Sequence, residues 1–129
     1  MIECMKQINK VGLLCIEDGK LLVVHKGNIG LYITPGGKIE PSESDEQCLE
    51  REIQEEIGCK VRNVEYFDTF RNDSLVQRCY LGNIDGSVHI NPHDTIDDYC
   101  WIGRDYQDIS VAPMLRDQII PALIKRGLM

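Results

Sequence analysis

The chain has 129 residues, room for one compact domain and too few for two ordinary ones. A 43% apolar share beside 27% charged residues is the balance of a globular protein, not a disordered one. The formal charge of −7, with no cluster of Lys or Arg, argues against broad binding to a nucleic-acid polymer, whose phosphates demand a basic stripe. An anionic small substrate stays open, because a bound divalent cation can invert the local field.

Cysteines stand at 4, 15, 48, 59, 79 and 100, and no two have Cys-x-x-Cys spacing, so a zinc ribbon or a thioredoxin-like motif is unsupported. Residues 1–10 (MIECMKQINK) lack the apolar centre of a signal peptide. No apolar run approaches the roughly 20 residues a membrane helix needs. The expectation is a cytoplasmic protein with reduced cysteines and no membrane partner.

Residues 8–26 read as two apolar strands joined at Asp18-Gly19, a strong hairpin signal. Leu31 to Thr34 reads as a short strand that enters Pro35-Gly36-Gly37, a tripeptide expected to break regular structure. Ser44 and Gln47 form a capping-box pattern, so a helix is expected from about 45 to 57, ending at Gly58. Leu49, Ile53 and Ile57 supply its apolar stripe. Extended segments follow at 60–71 and 75–83, with a short candidate strand at Val88-His89-Ile90 and another at 99–102. A second helical pattern runs from Ala112 to Lys125, where Pro121 should kink it or limit its first half. This order suggests a mixed sheet flanked by helices.

Chemistry concentrates between Gly37 and Cys59. Glu52, Glu55 and Glu56 stand at i, i+3 and i+4 and share one helix face, where like charges destabilise an isolated helix. A site that tolerates such crowding normally holds a cation, and oxygen-only donors select Mg²⁺, Mn²⁺ or Ca²⁺ over zinc. Gly36 and Gly37 can bring backbone close to that face. Arg51 can orient a carboxylate through its planar fork, with Glu43 its natural partner. Together these suit metal-assisted attack on phosphorus.

The stretch resembles the box of the Nudix hydrolase family. That box is a Gly, five residues, a Glu, seven residues, Arg-Glu, an aliphatic, any residue, Glu-Glu, any residue, a Gly and an aliphatic. Gly37, Glu43, Arg51, Glu52, Glu55, Glu56 and Gly58 fill all seven fixed positions. At usages near 7% per residue such a match arises by chance in roughly one start in a hundred million, so a merely solvated acidic helix is set aside. Cys59 replaces the usual aliphatic, and Ser42 replaces a Gly commonly seen before the Glu.

The resemblance implies an α/β fold, a Nudix-type α/β/α sandwich with a mixed β-sheet and a catalytic loop-helix-loop, spanning 1–129 with the box at 37–59. It implies hydrolysis of a nucleoside diphosphate derivative with Mg²⁺ or Mn²⁺. Glu52 and Glu56 would be the main metal ligands, joined by the Gly36 carbonyl. Glu55 would be a further ligand or the base that deprotonates water, and Arg51 would orient the glutamates. Many members add an acid from a loop before an aromatic strand; Asp97 and Asp98 fit that place, and Asp98 is preferred. Trp101 is read either as a base-stacking residue or as core, and Lys38 either as a phosphate contact or as solvated. His25, His89 and His93 show no ligand spacing.

Auxiliary family signatures associated with ADP-ribose, dinucleoside polyphosphate and coenzyme A are missing from 73–77 and from the segment upstream of the box. The run Pro-Gly-Gly-Lys-Ile-Glu resembles compact MutT-like members that cleanse nucleotide pools, which favours a (d)NTP yielding a nucleoside monophosphate and pyrophosphate. A homodimer is expected by analogy alone. The rival readings are another nucleotide-linked diphosphate, a Nudix-fold isoprenoid diphosphate isomerase and a non-catalytic nucleotide sensor.

Overall fold

The structure is a computed structural model that describes residues 7–91 and 95–129; Cys4 and His93 lie outside them. Asp18 and Gly19 both take positive φ, 52° and 74°, the two-residue turn whose twist matches paired strands. This turn joins β2 (Ile16–Glu17) to β3 (Lys20–Lys26). β1 (Ile8–Leu14) precedes them but pairs elsewhere, because the chain changes sheets at the fully buried Cys15. The two strands expected over 8–26 are therefore three, divided between two sheets.

The first sheet is mixed. β5 (Gly36–Lys38) and β1 are antiparallel, β1 and β7 (Leu75–Asp85) are parallel, and β6 (Lys60–Arg71) closes it antiparallel to β7. In the second sheet β3 is central, flanked by β2 and β4 (Leu31–Ile33) on one edge and β8 (Ile96–Ile102) on the other. Gly36 and Gly37 thus do not break regular structure; they form most of β5. The 88–90 segment is not a strand. It crosses the end of α1 (Asp45–Ile57), where the His89 N–H reaches the Ile57 carbonyl at 2.8 Å. That bond satisfies one of the carbonyls a helix end leaves unpaired.

Strand alternation divides the core into two layers. In β3, Leu22 and Val24 join Leu49, Ile53 and Ile57 beneath α1. Leu21 and Val23 face the other way, against Met114, Leu115, Ile119 and Leu123 of the C-terminal helical segment. The two sheets lie between these helical layers, as an α/β/α sandwich requires. In the second layer Leu115–Ile119 winds as a π-helical turn that leads into α2 (Ile120–Lys125). Ile120 donates back to Leu115, a five-residue step. The wider turn sits just before Pro121, which has no N–H for an ordinary helix and crowds the preceding turn. Among the described residues no helix is long and apolar enough to cross a membrane.

α1 starts and stops where its sequence signals lie. The Ser44 hydroxyl accepts from the Gln47 N–H at 3.1 Å, the Gln47 side chain accepts from the Ser44 N–H at 2.9 Å, and Gly58 takes φ 66°. A further anchor was not visible in the sequence. Arg78 of β7 grips the Asp45 carboxylate with two bonds of 2.7 and 2.8 Å, and the Tyr80 hydroxyl donates to it at 2.5 Å. These bonds, Arg78 foremost, hold the Asp45 carboxyl below its usual range. A depressed folded-state pKa gives stability above the unfolded value of about 3.9, lost as pH falls through the folded value. Asp45→Asn should lower the unfolding free energy by about 2 kcal/mol at pH 7. Its deficit against the parent should shrink toward pH 3, as read in urea titrations at several pH values.

Candidate active site

α1 presents its three glutamates at graded depth. Glu56 is 5% exposed, and its Oε1 accepts from the Gly36 N–H at 3.0 Å. The Glu52 side chain is 17% exposed and lies against Gly37, where a Cβ would stand 2.5 Å from the Glu52 carboxyl carbon. Glu55 faces outward with 52% of its side chain exposed. Gly37 is therefore what allows β5 to lie on the Glu52 carboxylate.

Arg51 ties the cluster together. Its Nε and Nη2 fork onto Glu43 at 2.7 and 3.0 Å, and its Nη1 reaches Glu52 at 2.8 Å and Glu55 at 3.4 Å. Nη2 also donates to the Lys38 carbonyl at 3.2 Å, which joins helix to loop. Arg51, with help from the Glu40 N–H, brings the Glu43 carboxyl down to about 2. The loop reaches this geometry through Ser42 at φ 69°, a conformation that explains why glycine suits that position. Cys59 is buried at 1% exposure, with its thiol on the Ser87 carbonyl at 3.4 Å, so it fills the aliphatic place as a small hydrophobe.

A cavity of about 490 Å³ opens beside the glutamates. Glu52, Glu56, Gly36 and Gly37 line one end together with Lys10, Lys26 and Lys38. Most of the remaining wall is aliphatic, with Ile33, Leu75, Met114, Leu115 and Ile119 in it, so a charged end meets an aliphatic arm. Lys10 is held below the usual lysine range by burial first and by Lys26 and Lys38 next, while Glu56 and Glu52 oppose the shift. Sequence reasoning missed Lys10 and Lys26. The signal that would have found Lys10 is its pairing opposite Lys38, a register that only the folded sheet displays.

Three expected residues stand elsewhere. Asp98 lies within β8 rather than in a loop and is not part of the cavity lining. It accepts from the Tyr32 hydroxyl at 3.1 Å and lies opposite His25, on the sheet face turned away from α1. Burial first, then Asp98, pushes the Tyr32 hydroxyl up to about 12. Asp97 pairs with His25 at 2.6 Å. Trp101, opposite Leu22, packs against the core under α1 and also misses the cavity. Glu55 and Arg51 are not among the lining residues of the cavity, whereas Lys38 is.

The NUDIX domain family profile matches residues 6–118, most of the chain. The chain belongs to the Nudix family. It is 31% identical over 114 residues to the NAD-capped RNA hydrolase NudC of Photobacterium profundum, a match that covers 86% of this chain and 38% of that protein. It is 39% identical over 66 residues to the CTP pyrophosphohydrolase of Escherichia coli, covering 48% of this chain and 49% of that one. The chain thus spans about half or less of these relatives' lengths. Its fold superposes on the MutT Nudix hydrolase of Burkholderia pseudomallei with a TM-score of 0.78 at 22% identity, covering 92% of this chain and 97% of that one.

Nudix membership implies a divalent metal, and the donor set can be tested for it. Glu52, Glu55, Glu56 and the Gly36 carbonyl offer oxygen alone, which suits a hard cation. Gly37 leaves the Glu52 carboxylate the space a Cβ would fill. Among the described residues no three acidic, histidine or cysteine side chains converge as a finished metal cage. Residue type and the glycine cradle fit the ion. Arg51 and the Gly36 amide meanwhile engage Glu52 and Glu56.

Proposed function

We propose that this Nudix protein hydrolyses a diphosphate linkage in a nucleoside derivative, with a (d)NTP giving a nucleoside monophosphate and pyrophosphate as its preferred reaction. The observation that carries this reading is the shared cavity, in which Glu52 and Glu56 face three lysines at one end of an aliphatic arm. Ammonium groups hold outer phosphate oxygens as point charges, and the arm buries the nucleoside.

Water adds to one phosphorus, the bridging P–O bond breaks, and the proton lost by water passes to the protein. Glu55, the carboxylate most open to solvent, is the proposed acceptor of that proton. Arg51 keeps Glu52 and Glu55 oriented and offsets part of their repulsion. Mg²⁺ or Mn²⁺, held by Glu52, Glu56 and the Gly36 carbonyl, would supply charge neutralisation of the diphosphate and polarisation of the attacking water. Asp98 has no part in this reading, because its carboxylate is engaged by the Tyr32 hydroxyl and is not part of the cavity lining.

The likeness to a NAD-capped RNA hydrolase over 86% of the chain favours a second reading, a diphosphate that joins two nucleosides. A panel of dNTPs, oxidised dGTP, ADP-ribose, dinucleoside polyphosphates and NAD, assayed with Mg²⁺ or Mn²⁺ and with chelator, separates the two. Chelator-sensitive release of pyrophosphate from triphosphates is the expected result. Turnover confined to NAD would replace it with the second reading. Silence across the panel would shift the weight to an isomerase or a sensor.

A further inference from the structure

Two buried polar side chains in the cavity wall have no part in the phosphate chemistry. Thr34, just past β4, and Gln77, in β7, are 7% and 8% exposed, and both line the cavity. Gln77 Nε2 donates to Thr34 Oγ1 at 2.9 Å and to Cys79 Sγ at 3.4 Å. The carboxamide oxygen takes no hydrogen bond, yet among the described residues no buried side-chain oxygen lacks a partner. That oxygen is therefore accessible, on a residue that lines the cavity.

The backbone is shaped around this pair. A Cβ on Gly12 would fall 2.5 Å from Gln77 Nε2 and 2.9 Å from Thr34 Oγ1. Glycine inside a buried strand weakens it, and here the missing side chain is what leaves room for the amide. Gly12 is the register partner of Gly36 on one side and of Cys79 on the other. Gln77 itself is the register partner of Lys10, so the amide stands one strand beyond the Lys38–Lys10 row. No aromatic ring is among the cavity's described lining residues, and Gln77 is their one side-chain amide. Aliphatic walls hold any flat heterocycle alike, so discrimination between bases falls to a hydrogen bond.

We propose that Gln77, positioned by Thr34, reads the nucleobase of the substrate and selects a base that carries an amino group. This rests on the nucleotide-hydrolase reading above and deepens it. The Gln77 oxygen accepts from an exocyclic amino group of cytosine or adenine. Against a keto group at the same place two acceptors face each other in a buried site, and both lose their hydrogen bonds. The pairs CTP with UTP, and ATP with ITP, differ at that group and at the ring nitrogen beside it, which carries a proton only in the keto member.

The test is kcat/KM for these four nucleotides with the parent and with Gln77→Met, which keeps the side chain's length and removes its polarity. The parent should favour the amino member of each pair by about tenfold, and Gln77→Met should bring the ratio within about twofold, mainly through KM. Thr34→Val, which unpins the amide, should erode the same ratio. A partly unfolded variant lowers both members equally, so the ratio reports recognition and not stability. Equal parent turnover of both members overturns the inference, as does a preference that survives in Gln77→Met. A parent that leaves all four intact overturns the triphosphate reading and takes this inference with it, which separates the two failures.

Discussion

Glu56→Gln should lower kcat by about a thousandfold, roughly 4 kcal/mol of lost transition-state stabilisation, while the protein stays folded. Glu56 is the deepest of the three glutamates and the one bound to the Gly36 N–H. Glutamine keeps an oxygen that can accept that bond and keeps the side chain's shape. What it removes is the negative charge beside the cavity, and the proposed chemistry depends on that charge. Unchanged thermal unfolding with lost turnover is the expected pair of results. A variant that works at full speed would remove Glu56 from the site.

Gly36→Ala should act through the fold instead. Gly36 sits at φ 141°, and a Cβ there would stand 2.1 Å from the Val11 carbonyl oxygen and 3.0 Å from Gly12 Cα, both backbone atoms of the neighbouring strand. A flexible side chain could swing aside, but a paired strand cannot, so β5 must leave β1. We expect a loss of at least about 3 kcal/mol in urea unfolding, with turnover lost as well. Gly86→Ala is the matched control: its φ is 92°, yet nothing lies within 4 Å of the added atom. It should cost only about 1–2 kcal/mol of backbone strain. Equal losses at the two positions would show that contact with β1 contributes nothing.

The helix that carries the site was readable because its signals are local. Ser44, Gln47 and Gly58 act within a few residues of the bonds they make, and the structure places α1 from Asp45 to Ile57 as expected. The charged cluster was readable for the same reason, since Glu52, Glu55 and Glu56 share a face by helical spacing alone. What lay hidden depends on register between distant strands. Lys10 meets Lys38 only because β5 pairs with β1, and Gln77 meets Thr34 only because β7 lies parallel to β1. The pairing of β5 was itself unexpected, because a double glycine signals a turn when its neighbours are unknown. Asp98 shows the converse. Its sequence position before an aromatic strand suited a catalytic acid, but strict alternation along β3 turns its carboxylate away from α1 and onto the Tyr32 hydroxyl, outside the cavity lining.

The proposed chemistry requires the α1 carboxylates to hold a divalent cation at the charged end of the cavity. The most direct test is a titration of Mn²⁺ with protein, following the electron paramagnetic resonance of the free ion, for the parent and for a variant carrying both Glu52→Gln and Glu56→Gln. The parent should deplete the free-ion signal saturably, and the double variant should leave it nearly intact while keeping the parent's circular dichroism. Equal depletion by both proteins, or none by the parent, would show that Glu52 and Glu56 hold no such ion.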